Sequence, residues 1–301
     1  MSKIAILFPA FVREYCGKEA EFVNFNLPDF KSKLKLATEI TGSDLTGFDF
    51  ETNNFLRDEL KSQYISYLFS CELADLINHS PLYINMTAGY SMGIYAMYYY
   101  TGSISFEEGL LIIKKAYESV LQVIPAKIFG MGNIIGLDET DVIALMNDEE
   151  AEVINMNGSH NFVISGKIFA IRNILERAKS EGAIHTRMLP VGCPYHSKFI
   201  RDSADSFGKF INSLDVKTAK IPVISCIDQN EITDPAGVRK GIIDNLFSHL
   251  NWQNTIVKMH GNGVNLYYEC GAGESLTKLN KFIPGDHKTI RFYQTDKLLT
   301  S

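Results

Sequence analysis

The sequence lacks any apolar run long enough to cross a bilayer, which excludes an ordinary transmembrane helix. Its opening apolar stretch, Ile4 to Phe8, stops at Pro9. That is too short for the hydrophobic segment of a secretory signal and reads as a first buried strand. Excess basic charge is lacking too. Lys and Arg number 29 against 35 Asp and Glu, a formal net charge of −6. A general nucleic-acid binder needs a basic face to displace phosphate counterions, so that class is excluded. The five cysteines (Cys16, Cys71, Cys193, Cys226 and Cys270) are odd in number and nowhere spaced as CxxC. A disulfide framework is not expected, nor a metal site, and a reduced, cytoplasmic setting is. Internal repeats and low-complexity segments are also lacking.

What is present is the composition of a globular protein. Hydrophobic residues make up 46% and charged residues 21%, which argues against disorder. The length, 301 residues, suffices for one large core and a small subdomain.

Short apolar runs alternate with helical patterns, the signature of an α/β fold with a parallel sheet. Lys3 to Phe8 reads as a strand and Asp58 to Asn78 as a helix. Leu82 to Met86 reads as a second strand, Met92 to Tyr100 as a helix, and Ser105 to Val123 as another. Between residues 125 and 190 the texture changes. Ile128–Leu137, Glu152–Asn157, Asn161–Ser165 and Ile184–Leu189 read as strands, with helices over Glu139–Asn147 and Phe169–Glu181. The order β-α-β-β-α-β is that of a ferredoxin-like unit. It sits as a small subdomain (125–190) inside a larger domain (1–124 and 191–301). Ile221–Ser225 and Leu266–Glu269 read as further strands of the larger one.

Gly89-Tyr90-Ser91-Met92-Gly93 matches G-x-S-x-G and lies between a predicted strand and a predicted helix, the context this motif requires. Small residues on both sides permit a sharp turn that lifts a serine hydroxyl off the sheet. The positive end of the following helix then faces developing negative charge, and the Met92 N–H is placed to donate into an oxyanion hole. A serine nucleophile needs a base, usually histidine. His79, His160, His185, His249, His260 and His287 lie in polar or turn-like surroundings. His196 follows the last small-subdomain strand, where the chain re-enters the large domain and clefts form. No acid between Ser91 and His196 stands out as a third member, which leaves room for a dyad.

These residues resemble the malonyl-CoA:acyl-carrier-protein transacylase family, which includes the acyltransferases of fatty-acid and polyketide synthases. The landmarks come in order along nearly the whole chain. They are Ile6-Leu7-Phe8-Pro9, Gln63, the serine elbow, Asn155-Met156-Asn157-Gly158 with Val163-Ile164-Ser165-Gly166, the loop ending at His196, Asn251-Trp252, and Tyr268-Glu269-Cys270-Gly271-Ala272-Gly273. The resemblance implies a large α/β-hydrolase-like domain with a ferredoxin-like insert. It also implies an acyl-Ser91 ester formed from a coenzyme A or carrier-protein thioester, with His196 as general base. The phosphopantetheine thiol of an acyl carrier protein would collect the group. Backbone N–H groups of Phe11 and Met92 would form the oxyanion hole, and the main-chain carbonyl of Asn251 would orient His196. No permanently bound cofactor is expected, and a monomer is.

The departures from the family pattern carry information. Its members open with Phe-Pro-Gly-Gln-Gly, where this chain has Phe8-Pro9-Ala10-Phe11-Val12. Tyr90 replaces the elbow histidine and Ile94 the glutamate. Malonyl-specific members hold the free carboxylate with a bidentate arginine on the helix after the elbow. Counting from Ser91, from Phe106 or back from Pro125 puts Ala116 there. Alanine supplies neither charge nor orientation. The adjacent Lys115 points about 100° away on a helix. An acyl pocket of Phe11, Gln63, Tyr90, Ala116 and Tyr195 is therefore expected to prefer a group other than malonyl. The competing readings are an acyl hydrolase of a polyketide assembly line, a malonyl transacylase with a substitute cation, and a non-catalytic carrier-protein binding module. Arg187, Lys198, Arg201, Lys278 and Lys281 would flank the cleft mouth as a dock for an acidic carrier.

Overall fold

The computed structural model describes residues 3–10, 29–46, 58–124, 128–146 and 150–292. Phe11 and Cys16 lie outside them. Strand β1 (Lys3–Phe8) shows why its sequence is apolar without interruption. Ile6 and Phe8 enter one core, while Ala5 and Leu7 enter another on the opposite face. A parallel strand covered on both sides reads as a continuous hydrophobic run. β1 is central in a six-stranded sheet with β2 (Met86–Gly89), β7 (Val223–Ile224), β8 (Glu231–Ile232), β10 (Val264–Glu269) and β11 (Lys288–Arg291). The order is β11-β10-β1-β2-β7-β8, parallel except for the β7–β8 pair.

Helices α1 (Phe30–Thr41), α2 (Glu59–Asn78), α3 (Gly93–Tyr100) and α4 (Phe106–Val123) cover the Ile6/Phe8 face. In α4 the apolar residues Phe106, Leu110, Ile113, Ala116 and Val120 recur at helical spacing and are buried. A capping box fixes its start. The Ser105 hydroxyl accepts from the Glu108 N–H at 3.1 Å, and the Glu108 carboxylate accepts from the Ser105 N–H at 2.7 Å. Such a cap stabilises the helix by about 1 kcal/mol.

The insert consists of β3 (Phe129–Ile135), α5 (Glu139–Leu145), β4 (Ala151–Gly158), β5 (Asn161–Lys167), α6 (Ile168–Ser180) and β6 (His185–Leu189). Its four strands stand in the order β6-β3-β5-β4 and are mutually antiparallel, which is the ferredoxin-like arrangement. After α7 (Ala204–Asn212) and α8 (Pro235–Asn245), the large domain sends β9 (Leu250–Asn251) to pair parallel with β4. The small sheet thus has a fifth strand from outside residues 125–190. Helix α9 (Trp252–Gly261) then covers the Ala5/Leu7 face with Trp252, Ile256 and Met259. A short helix, α10 (Ser275–Leu279), follows β10.

Two strands differ from the sequence reading. The second begins at Met86 and not at Leu82, because β1 pairs from Ala5 with Met86 to Phe8 with Gly89. Asn85 only prepares that ladder, accepting and donating one bond each with Ile4. The strand expected over Ile221–Ser225 forms a ladder only at Val223–Ile224. Among the described residues no helix is long and apolar enough to cross a membrane. Cys71, Cys193, Cys226 and Cys270 are free and buried.

Candidate active site

β2 ends at Gly89 and α3 begins at Gly93, so the sheet-to-helix turn is confined to three residues. Ser91 at its apex has φ of 53°, in the left-handed region that costs a non-glycine residue about 1–3 kcal/mol. The flanking glycines are dictated by contact. A Cβ on Gly89 would lie 2.6 Å from the Ile94 backbone, and one on Gly93 would lie 2.2 Å from the Phe8 carbonyl oxygen. The turn is braced from outside. The Tyr90 N–H donates to Phe8 O at 2.8 Å, the Cys226 thiol to Gly89 O at 2.8 Å, and the Asn245 amide to Ser91 O at 3.3 Å. Met92 occupies the N-cap position of α3, so the positive end of that helix faces the serine.

The structure brings His196 to this apex. Its Nε2 lies 2.7 Å from Ser91 Oγ. His196 also has a left-handed backbone, φ 62°, and its N–H is tied to Leu246 O at 2.9 Å. The ring is buried, with 3% of the residue exposed. Desolvation is the largest influence on it and lowers its pKa to about 4. Main-chain groups of Asn245 and Ser248 face the ring and favour the imidazolium, while His249 opposes it. Nδ1 makes no hydrogen bond within standard geometry, and no carboxylate contacts the ring among the described residues. The orienting carbonyl expected at Asn251 is not at the histidine. Asn251 O accepts from Thr255 Oγ1 at 2.8 Å and from the Gln229 amide at 3.5 Å. Pairing of β9 with β4 carries Asn251 into the small sheet, and the turn that ends α8 puts Asn245 and Ser248 beside the ring instead.

Ser91 and His196 open into a cavity of about 420 Å³ between the large domain and the small sheet. Gln63, Tyr90, Ala116 and Tyr195, expected around an acyl group, all line it. Gln63 donates to Tyr195 Oη at 3.3 Å. Tyr90 has a bridging role that the sequence did not disclose. Its hydroxyl accepts from Asn155 Nδ2 at 2.8 Å and donates to Asn157 Oδ1 at 2.9 Å, joining the elbow to β4. Its ring meets Trp252 edge-on, with centroids 5.4 Å apart. Arg187 and Lys278 line the cavity and are exposed, as are Lys198, Arg201 and Lys281 outside it.

One polar residue was missed. Glu59, partly buried in the first turn of α2, lines the cavity on the side of Gln63 and Tyr195. Its carboxylate accepts from the Gly192 N–H at 3.2 Å and from Gln63 Nε2 at 3.5 Å. Burial raises its pKa above the ordinary carboxylate value, and these donors offset part of that rise. The available signal was the i, i+4 spacing of Glu59 and Gln63, which puts both on one helix face. No three His, Cys, Asp or Glu side chains cluster as metal ligands among the described residues.

Known proteins resemble this chain along most of its length. The malonyl CoA-acyl carrier protein transacylase of Bacillus subtilis is 28% identical over 300 residues, covering 96% of this chain and 93% of that protein. The polyketide biosynthesis protein ThaF of Burkholderia thailandensis is 30% identical over 294 residues, 94% of this chain but 24% of that protein. The solved malonyl CoA-acyl carrier protein transacylase of Coxiella burnetii superposes with a TM-score of 0.90 at 24% identity, over 99% of this chain and 96% of that one. No protein-family model matches the chain.

Proposed function

We propose that this chain, a relative of the malonyl-CoA:acyl-carrier-protein transacylases along nearly its whole length, is an acyltransferase of fatty-acid or polyketide synthesis that works through an acyl-Ser91 ester. The observation that carries this reading is the 2.7 Å contact of Ser91 Oγ with His196 Nε2 at an elbow open to a large cavity. His196 is neutral at physiological pH because burial holds its pKa near 4, so its Nε2 is free to take the serine proton. Ser91 Oγ attacks the thioester carbonyl carbon, and the oxyanion is met by the Met92 N–H at the start of α3. The C–S bond breaks, and the departing thiolate takes the proton back from His196. The phosphopantetheine thiol of an acyl carrier protein reverses these steps and leaves with the acyl group. Phe11, which lies outside the described residues, would supply the second oxyanion donor through its backbone. His196 is oriented by the main chain of Asn245 and Ser248 in this scheme, and a dyad suffices.

The preferred acyl group is one other than malonyl. Ala116 faces the cavity, where a bidentate cation would hold malonate, and Glu59 lines the same cavity. A malonyl carboxylate would find no fork-shaped donor at Ala116, and Glu59 in the same cavity offers it no cation. The exposed Lys198, Arg201, Lys278 and Lys281 serve as the dock for the acidic carrier.

The test is intact-mass analysis after incubation with malonyl-, acetyl- and butanoyl-CoA. An adduct of one acyl group is expected on the native protein and none on Ser91→Ala. Faster acylation by malonyl than by the neutral donors would overturn the assignment of the acyl group. No adduct from any donor would overturn the acyl-enzyme.

A further inference from the structure

The acyl side of the cavity carries a carboxyl group that has no ion-pair partner among the described residues. The donors to Glu59 are neutral: the Gly192 N–H and Gln63 Nε2, the latter also donating to the Tyr195 hydroxyl. No lysine or arginine pairs with it among the described residues, and none contributes to its charge state. The two cations that line the cavity, Arg187 and Lys278, belong to β6 and α10. Tyr117 and Cys193 are near enough to Glu59 for its ionisation to raise their pKa values, which locates it beside α4 and the loop that leads to the base. Tyr195, the neighbour of His196 in sequence, shares a hydrogen-bond chain with Gln63 and Glu59, so the carboxylate belongs to the same pocket as the nucleophile. Ala116 adds space there and no charge.

We propose that Glu59 is a specificity-determining residue and that the pocket takes an acyl group bearing a protonated amine. The proposal rests on the acyl-Ser91 reading above. Three kinds of acyl terminus can be weighed against the site. A carboxylate gains no counterion from Glu59. An alkyl terminus strips water from Glu59 without replacing it, and a buried polar group left without a partner is costly. An ammonium supplies a counterion and charge-assisted hydrogen bonds, with Gln63 and the Gly192 N–H already holding the carboxyl group in place. Burial raises the pKa of Glu59, and a cation placed beside it would favour its ionised form.

The experiment compares rates of Ser91 acylation by two isosteric pairs of coenzyme A thioesters: 3-aminopropanoyl against butanoyl, and 6-aminohexanoyl against heptanoyl. Within each pair NH₃⁺ replaces CH₃. The native protein is expected to favour the amine about tenfold or more in at least one pair, as sites built around a polar group do. Glu59→Gln is expected to bring that ratio close to one, and Glu59→Asp, which keeps the charge, to retain a preference for the amine. Equal rates, or faster alkyl donors, in both pairs of the native protein would overturn the proposal, and that comparison stands even where a variant fails to fold. An amine preference unchanged in Glu59→Gln would overturn it as well, as would an equal loss in Glu59→Gln and Glu59→Asp. Adducts from alkyl donors without any amine preference leave the acyl-enzyme intact and sink only this proposal. The absence of adducts from all four donors sinks the acyl-enzyme and this proposal together.

Discussion

Lowering the pH separates this histidine from an exposed one. His196 is buried beside Ser91, and desolvation takes its pKa from 6.5 to about 4. A base with the ordinary value would be only about 10% neutral at pH 5.5, whereas one near 4 stays about 97% neutral. The single-turnover acylation rate should therefore be nearly flat from pH 8 down to about 5. It should then fall through a midpoint near 4, where an ordinary histidine would already have lost about tenfold at pH 5.5. Rapid-quench measurement of the butanoyl-enzyme from pH 4 to 8 reads this directly. The same displacement has a stability cost with a definite sign. Between about pH 6.5 and 4 the unfolded chain binds a proton at this residue and the native protein does not, so stability is lost as pH falls through that window. The full displacement corresponds to about 3 kcal/mol. Urea unfolding of the native protein and His196→Gln across the window isolates it, since glutamine does not titrate. A rate midpoint near 6.5, or parallel stability curves for the two proteins, would refute the burial argument.

Other perturbations follow from the same geometry. Tyr90→Phe removes the hydroxyl that joins Asn155 to Asn157, two hydrogen bonds at about 1 kcal/mol each. A loss of about 2 kcal/mol in urea unfolding is expected, and a change under about 0.5 kcal/mol would contradict the bridge. Gly93→Ala drives a Cβ to 2.2 Å from Phe8 O and 2.7 Å from Pro9 O, both backbone atoms. It should cost more than about 4 kcal/mol, read as loss of the cooperative unfolding transition, and a near-native midpoint would refute the close approach. Ala116→Arg places a cation in the pocket, but Glu59 is available to neutralise it. Malonyl acylation relative to butanoyl should rise about tenfold or more only when Glu59→Gln is added, and an equal rise in the single variant would show that Glu59 lies out of reach.

Much of the fold was legible because its periodicities are strong. β1 is apolar on both faces, α4 has a capping box and a clean apolar stripe, and the strands and helices of residues 125–190 follow the ferredoxin-like order without interruption. The elbow was legible for a steric reason, since its glycines mark places where backbone meets backbone. The surroundings of the histidine were not. Any residue can present a main-chain carbonyl, so residue identity could not distinguish Asn251 from Asn245 or Ser248. The path of the chain sets which main-chain groups come near the ring, because β9 leaves for the small sheet and takes Asn251 with it. Glu59 escaped notice because a glutamate in a first helical turn is ordinarily a solvated partner of the helix dipole. Only the packing of α2 against the Gly192–Tyr195 loop turns it inward. The start of β2 was misplaced because apolar residues at 82 and 84 precede the first ladder bond.

The central claim is that Ser91 carries an acyl group from one thiol to another. The direct measurement isolates the butanoyl-enzyme, divides it, and follows its intact mass with and without a phosphopantetheinylated acyl carrier protein. The acyl mass is expected to leave Ser91 faster with the carrier present and to reappear on the carrier. Loss at the same rate in buffer alone, with free butanoate as the product, would contradict transfer and make the protein a hydrolase.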